Sequence, residues 1–164
     1  DGREIMRHYA IPLEQIIAVN QSWTKGKAAV PQLWQALSDT LAVNRYHAAI
    51  GLGNLALASP PITEQLKQLQ RDDSEISVRL AAAYALYKTG HRDIATPVFH
   101  EGLEVGLRDN EVGYVVLSLI KRLGKEAIVF EEVVQATFAK QKEINQWNYY
   151  KELEAVLEFM HNQP

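Results

Sequence analysis

The feature that most limits how this chain can fold is a repeat with a period of 34 residues. The segment NRYHAAIGLGNLA, which begins at Asn44, aligns with VRLAAAYALYKTG from Val78 and with VGYVVLSLIKRLG from Val112. Within each copy the apolar residues recur at the spacing of one helix face, as at Val78, Ala82 and Leu86. Three copies of one helix-forming pattern predict a protein built from repeated helical units.

Each of these predicted helices is followed by a stop signal and by a second amphipathic segment. Gly90 and Gly124 stand where a helix end favours a residue that can adopt a positive φ. The second segments cover residues 30–37, 62–69, 94–107 and 128–138. Four prolines stand near the predicted starts of these segments, where a missing N–H is tolerated: Pro31, Pro60, Pro61 and Pro97. Each unit is therefore predicted to be a helical hairpin.

Stacking of these hairpins defines the predicted fold class, because a hairpin this short cannot bury its apolar face alone. We predict an all-α fold, a short α-solenoid (α/α superhelix) of about four helical hairpins with a capping helix from about Trp147 to Met160. The solenoid covers residues 12–164, and its first unit, 13–37, matches the repeat poorly, as an end unit does. Residues 1–11 are expected to lead in from a preceding domain, since they lack an initiator Met and a signal-peptide layout.

Three consecutive alanines, Ala81, Ala82 and Ala83, stand inside an otherwise bulky apolar segment. Side chains this small are predicted to let neighbouring helix backbones approach closely, while Leu80 and Leu86 fill the layers between units. The alanines are therefore interpreted as a packing feature of the stack.

Composition excludes several classes of partner. Seventeen basic and twenty acidic residues give a net charge of −3, which argues against a nucleic-acid binder. The longest uncharged apolar run, 112–120, has nine residues, whereas a membrane-spanning helix needs about 20. The chain has no cysteine, which excludes disulfides and Cys-ligated zinc. We therefore expect neither a nucleic-acid partner nor a membrane span.

No residue pattern predicts a catalytic, metal or cofactor site. Gly51, Gly53 and Ala56 give the outline of a dinucleotide fingerprint, but they lie inside a predicted helix and not after a strand. The five histidines show no metal-ligand spacing, and His47 is expected to pack or cap. We therefore predict no cofactor and no metal.

Large aromatic residues cluster near the two ends of the chain. Trp23 and Trp34 are expected to plug the end of the core. Trp147, Tyr149 and Tyr150 are expected to do the same at the other end, where they are also the better candidates for an interface.

Two charged pairs point to a repeat family. Asp39 precedes Arg45 by six residues, as Asp73 precedes Arg79, and Ala-Ala-x-x-Leu follows each Arg. This pattern resembles the D-x-x-x-x-V-R-x-x-A-A-x-A-L signature of HEAT repeats, whereas the tetratricopeptide motif, which shares the period, is absent. The resemblance implies a ladder in which each Asp caps a helix and orients an Arg between repeats. The third copy departs from it, with Gly113 in place of the Arg.

The order of PLEQIIAVNQSW, VPQLWQALSD and the first two repeat copies resembles the helical region that follows the catalytic domain in one group of bacterial sulfatase-type hydrolases. The lead-in EIMRHYAIPLEQIIAVNQ carries most of this resemblance. It implies a non-catalytic accessory domain, and a periplasmic or extracellular location; the residues themselves leave the compartment open. The C/S-x-P-x-R motif from which sulfatases make formylglycine is absent, so no catalytic residue is carried over.

The function that follows is a structural and interaction module that docks on its own catalytic domain, binds another subunit or mediates oligomers. Its contact face is predicted on the second helices, at Lys67, Arg71, His100, Glu104 and Arg108. One alternative is a free-standing HEAT-like adaptor. Another is a HEAT-like lyase or DNA-repair scaffold, which would need a cluster of basic and aromatic residues that the dispersed charges do not provide.

Overall fold

The structure, a computed structural model, describes residues 13–57, 59–144 and 147–163, and these residues form helices and turns without any strand. The helices are α1 (Leu13–Ser22), α2 (Val30–Ala36), α3 (Ala42–Asn54), α4 (Pro60–Asp72), α5 (Ile76–Lys88), α6 (Arg92–Gly106), α7 (Asn110–Arg122), α8 (Glu131–Ile144) and α9 (Trp147–His161). Two 3₁₀ segments, Trp23–Ala29 and Gly124–Phe130, precede α2 and α8. The all-α prediction is confirmed for this part of the chain. The predicted lead-in, 1–11, lies outside the described residues.

One rule describes most of the helix packing. The odd-numbered helices form a row, since α1 packs on α3, α3 on α5, α5 on α7 and α7 on α9. Each even-numbered helix from α2 to α8 packs on the odd-numbered helix that follows it. The same pattern of helix pairs therefore recurs along the described part of the chain.

Helix α5 lies at the centre of this row, in contact with α3, α4, α6 and α7. Its buried residues are Val78 and the continuous run 80–87, so it is buried around nearly its whole circumference. Ala81, Ala82 and Ala83 have no exposed surface, and neither do Ala48 and Ala49 of α3. The interpretation of the alanines as a packing feature is confirmed.

Each of the three turns that end the repeated helices contains a residue with a positive φ. Gly90 has a φ of +93° and Gly124 a φ of +63°, which confirms that these glycines terminate α5 and α7 in the left-handed region. The equivalent residue of the first copy is Ala56, whose φ is +47° although it carries a Cβ. The first copy therefore keeps the turn at a cost in backbone strain.

Two predicted helix starts need correction. Pro31, Pro60 and Pro61 lie in the first turns of α2 and α4 as predicted, but Pro97 lies inside α6, because that helix begins at Arg92. The segment predicted as a helix from residue 128 is divided: the chain runs as a 3₁₀ segment to Phe130 and becomes α-helical only at Glu131.

The aromatic residues near the chain ends differ in their surroundings. Tyr149 of α9 is fully buried, and the ring of Tyr150 stacks on Phe138 of α8 with centroids 4.4 Å apart. The plug prediction is therefore right for Tyr149. It is wrong for Trp34, which is 43% exposed on the short helix α2. The side chains of Trp23 and Trp147 lie outside the described part of the structure.

Candidate interaction surfaces

The first predicted site residue, Arg45, forms the main polar link between two repeat copies. Its Nε and Nη2 donate to the carboxylate of Asp73 at 2.7 and 2.9 Å. Its Nη1 donates to the backbone carbonyls of Asp39 at 2.9 Å and Thr40 at 3.0 Å. Only 14% of the Arg45 side chain and 3% of the Asp73 side chain are exposed. This bidentate ion pair therefore joins the start of α3 to the turn before α5.

The aspartates act in the turns before the helices and not at the predicted cap positions. The carboxylate of Asp39 accepts from the N–H of Leu41 at 2.8 Å and from Nδ2 of Asn44 at 3.0 Å. The carboxylate of Asp73 accepts from the N–H of Glu75 at 3.0 Å. Leu41 and Glu75 are themselves the residues that precede the first helical turns. Each Asp thus orders a local turn, as short acidic side chains commonly do.

Arg79 has a different partner from its counterpart Arg45. Its guanidinium donates to Glu101 of α6 at 2.7 and 3.2 Å. The residue 34 positions after Asp73 is Leu107, so the third copy offers no carboxylate at the ladder position. The ladder therefore has one rung, and the prediction that Arg79 continues it is wrong.

The surroundings of the Arg45–Asp73 pair favour the ionised forms of both side chains. Burial raises the pKa of Asp73, but hydrogen bonds from Arg45 and the Glu75 N–H and the nearby Arg charges outweigh it, so the net shift is downward. The hydrogen bond with Asp73 in turn raises the pKa of Arg45. A saturated, ionised pair of this kind stabilises the fold and leaves no free group for a ligand.

The five residues of the predicted contact face lie in two places. Lys67 and Arg71 line a groove between α4 and α6, together with Ile94 and Val98. Each is paired with a close neighbour in sequence, Lys67 with Glu64 and Arg71 with Asp72.

The other three belong to α6 and the turn after it. Glu104 pairs with Lys140 of α8, and the ring of His100 lies edge-on to Phe130 at 6.2 Å. Arg108 is exposed in the turn that follows. The structure therefore brings Lys67 and Arg71 together but separates them from the α8 side of α6.

A second groove, which the sequence reasoning did not identify, crosses the odd-numbered helices. It is lined by Val43, Tyr46 and His47 of α3, Ser77 of α5 and Val115 of α7. The rings of Tyr46 and His47 meet edge-on with centroids 5.3 Å apart. Among the described residues, no hydrogen-bond partner contacts the Tyr46 hydroxyl, the His47 ring or the Ser77 hydroxyl. We call this surface the α3–α7 groove.

The positive charge of Arg122 acts on the α3–α7 groove. Burial raises the pKa of Tyr46, and the positive charge of Arg122 opposes that rise. Burial lowers the pKa of His47, and the Arg122 charge lowers it further, so both effects favour the neutral ring. The expectation that His47 packs is thus incomplete, because its ring also lines an open surface. The 34-residue alignment could have located the groove, since it superimposes His47 on Val115.

The glycines of the dinucleotide outline have a packing role. Gly51 and Gly53 lie inside α3, and a Cβ on Gly53 would stand 2.7 Å from the ring of Tyr84. The Tyr84 hydroxyl donates to Asn54 at 2.8 Å. Gly53 therefore provides room for a ring that links α5 to α3.

Neither a cluster of potential metal ligands nor a helix long and apolar enough to cross a membrane occurs in the described ranges. No protein-family profile matches the chain, and neither the curated proteins nor the solved structures yield a significant match. The function proposed below therefore depends on the residues and their geometry.

Proposed function

We propose that this chain is a non-catalytic α-solenoid of HEAT-like repeats that serves as a protein-interaction module. The observation that carries the proposal is the recurrence of one contact along the row of odd-numbered helices, with left-handed turns at Ala56, Gly90 and Gly124 in equivalent positions. Stacked repeats of this kind leave long faces on which partners can bind.

Insertion of one more repeat tests the solenoid arrangement. A second copy of residues 76–109, placed directly after residue 109, should fold, because a stack accepts another unit between equivalent neighbours. The urea dependence of the unfolding free energy should then rise roughly in proportion to the added length. The matched control inserts the same 34 residues in scrambled order. If the repeat insertion and the scrambled insertion gave the same urea dependence of the unfolding free energy, the stacked arrangement would be contradicted.

The contact surface of this module is proposed on the even-numbered helices, at Lys67, Arg71, His100, Glu104 and Arg108. The ion pairs there do not close the surface, since exposed pairs are worth only about 0–1 kcal/mol and a partner's charges can replace them. Charge reversal at these positions should abolish cross-links between the native protein and its partner. Lys125→Glu on the 3₁₀ segment is the control, because it changes an exposed charge elsewhere.

We further propose that the partner includes the catalytic domain of a sulfatase-type hydrolase, with this chain as its C-terminal accessory region. The support is the resemblance of the segment EIMRHYAIPLEQIIAVNQ and the repeats after it. An antibody against the chain should detect a native polypeptide several times heavier than 18.5 kDa that hydrolyses sulfate esters. A native band near 18.5 kDa would instead support the free-standing adaptor.

A further inference from the structure

Beyond the contact face on the even-numbered helices, the α3–α7 groove has the features of a second binding surface. Its walls are apolar at Val43 and Val115, while Tyr46, His47 and Ser77 present hydrogen-bonding groups without a partner in the described protein. A few convergent polar groups on an apolar surface are typical of binding sites. Val43 is 37% exposed, although it is a large apolar side chain.

The charge near this groove is positive at one end. Arg122 lies seven residues after Val115 in α7, which places both on one helix face, two turns apart. No ion pair involves Arg122 in the described part of the chain, whereas Arg45, Arg79 and Arg92 are all paired. A carboxylate bound at this end would therefore meet the Arg122 guanidinium, which has no acidic partner among the described residues.

The opposite end of the same α7 face carries an acidic residue. Glu111 precedes Val115 by one helical turn. The groove is thus polarised along the helices, and a ligand with its negative charge at one end would bind in one direction only.

We propose that the α3–α7 groove binds an extended peptide segment of a partner protein, with an apolar side chain between Val43 and Val115 and an acidic side chain at Arg122. The groove is an open surface and not an enclosed cavity, which suits a peptide segment better than an enclosed small molecule. This inference rests on the proposed function as an interaction module.

Helix geometry defines the spacing within the peptide. Val115 and Arg122 are separated by seven residues, which is about 10 Å along α7. A segment in the extended polyproline II conformation advances about 9 Å in three residues and brings the side chain at i+3 back to the same face. The geometry therefore favours segments in which an aliphatic residue and a glutamate or aspartate are three positions apart.

A direct test uses a fluorescein-labelled octapeptide with the spacing Leu-x-x-Glu, in which x is serine, and measures its anisotropy with the whole chain. The control peptide carries glutamine in place of the glutamate. We expect Arg122→Glu to weaken binding of the Glu peptide at least about tenfold and to leave the Gln peptide unaffected. Val43→Ser should weaken binding of both peptides, because it removes part of the apolar wall.

Lys25→Glu is the matched control variant, since it reverses one exposed charge on the 3₁₀ segment before α2. An equal loss of affinity in Lys25→Glu and Arg122→Glu would show general charge attraction and would overturn the assignment to this groove. Absence of peptide binding would also overturn it. In either case, partner cross-links that depend on Lys67 and Arg71 would leave the proposed function standing.

Ring signals in NMR spectra locate the bound peptide independently. His47 lines the groove, whereas His91 is distant in sequence and follows the end of α5. Titration with the Glu peptide should shift the His47 ring signals and leave those of His91 in place. Shifts confined to other histidines would place the peptide elsewhere.

Discussion

The ring of Tyr149 occupies the space that a side chain on Gly113 would need. A Cβ built on Gly113 would stand 2.5 Å from Cε2 of Tyr149, and a Cβ on Gly106 would meet the Tyr149 hydroxyl at 2.7 Å. Gly113 is also the position at which the third copy loses the repeat arginine. The departure from the repeat therefore makes room for the Tyr149 ring of α9.

Gly113→Ala should destabilise the protein by about 2 kcal/mol, because the new methyl group overlaps a fully buried ring that cannot move away freely. Urea unfolding followed by circular dichroism measures this change. The cost should fall below about 0.5 kcal/mol in a Tyr149→Ala background, where the ring is absent. Equal costs in both backgrounds would contradict the overlap.

Ala56→Gly should stabilise the protein by about 1 kcal/mol, since glycine adopts a positive φ without the strain of a Cβ. Gly90→Ala should destabilise it by a similar amount, although a Cβ there would meet no atom within 4 Å. Both changes isolate backbone conformation from packing. Thermal or urea unfolding that shows the same sign for the two substitutions would count against this explanation.

Sequence reasoning identified the features that recur in the repeat. The helical class, the alanine-lined contact between α3 and α5 and the turns at Gly90 and Gly124 all follow from residues that repeat every 34 positions. These features depend on local propensity and on the apolar period, which a single sequence displays.

Sequence reasoning failed where a side chain has a partner far away in the chain. The Arg79–Glu101 pair and the packing of Tyr149 on Gly113 depend on contacts between helices that the period does not specify. The α3–α7 groove is a different case: its residues lie at equivalent positions one and two repeats apart, as His47 and Val115 do, so the 34-residue alignment could have located it.

Ala82→Leu should destabilise the protein by about 1–3 kcal/mol, because Ala82 has no exposed surface and lies in the central helix α5. Ala136→Leu is the matched control, since Ala136 is exposed on α8 and the added side chain meets solvent. Denaturant unfolding should separate the two variants clearly. A similar small loss of unfolding free energy in both variants would show that the helices around α5 can shift to accommodate a larger side chain.

Asp73→Asn should lower the free energy of unfolding by about 2 kcal/mol at pH 7, because it leaves the guanidinium of Arg45 without its charged partner in a largely buried site. Glu101→Gln is the control. Its pair with Arg79 is more exposed, with 43% of the Glu101 side chain open to solvent, so its loss should cost less than about 1 kcal/mol.

The effect of Asp73→Asn should also depend on pH in a defined direction. The pKa of Asp73 is lower in the folded protein than its usual value of 3.8, so the folded state favours the ionised carboxylate. Its contribution is therefore complete above pH 3.8 and is lost as the pH falls through the lower folded pKa. Urea unfolding of wild type and Asp73→Asn from pH 7 to pH 3 should show a difference that is constant at first and narrows below about pH 4. A difference that stays constant to pH 3 would mean that the Arg45–Asp73 bond contributes through its shape and not through its charge.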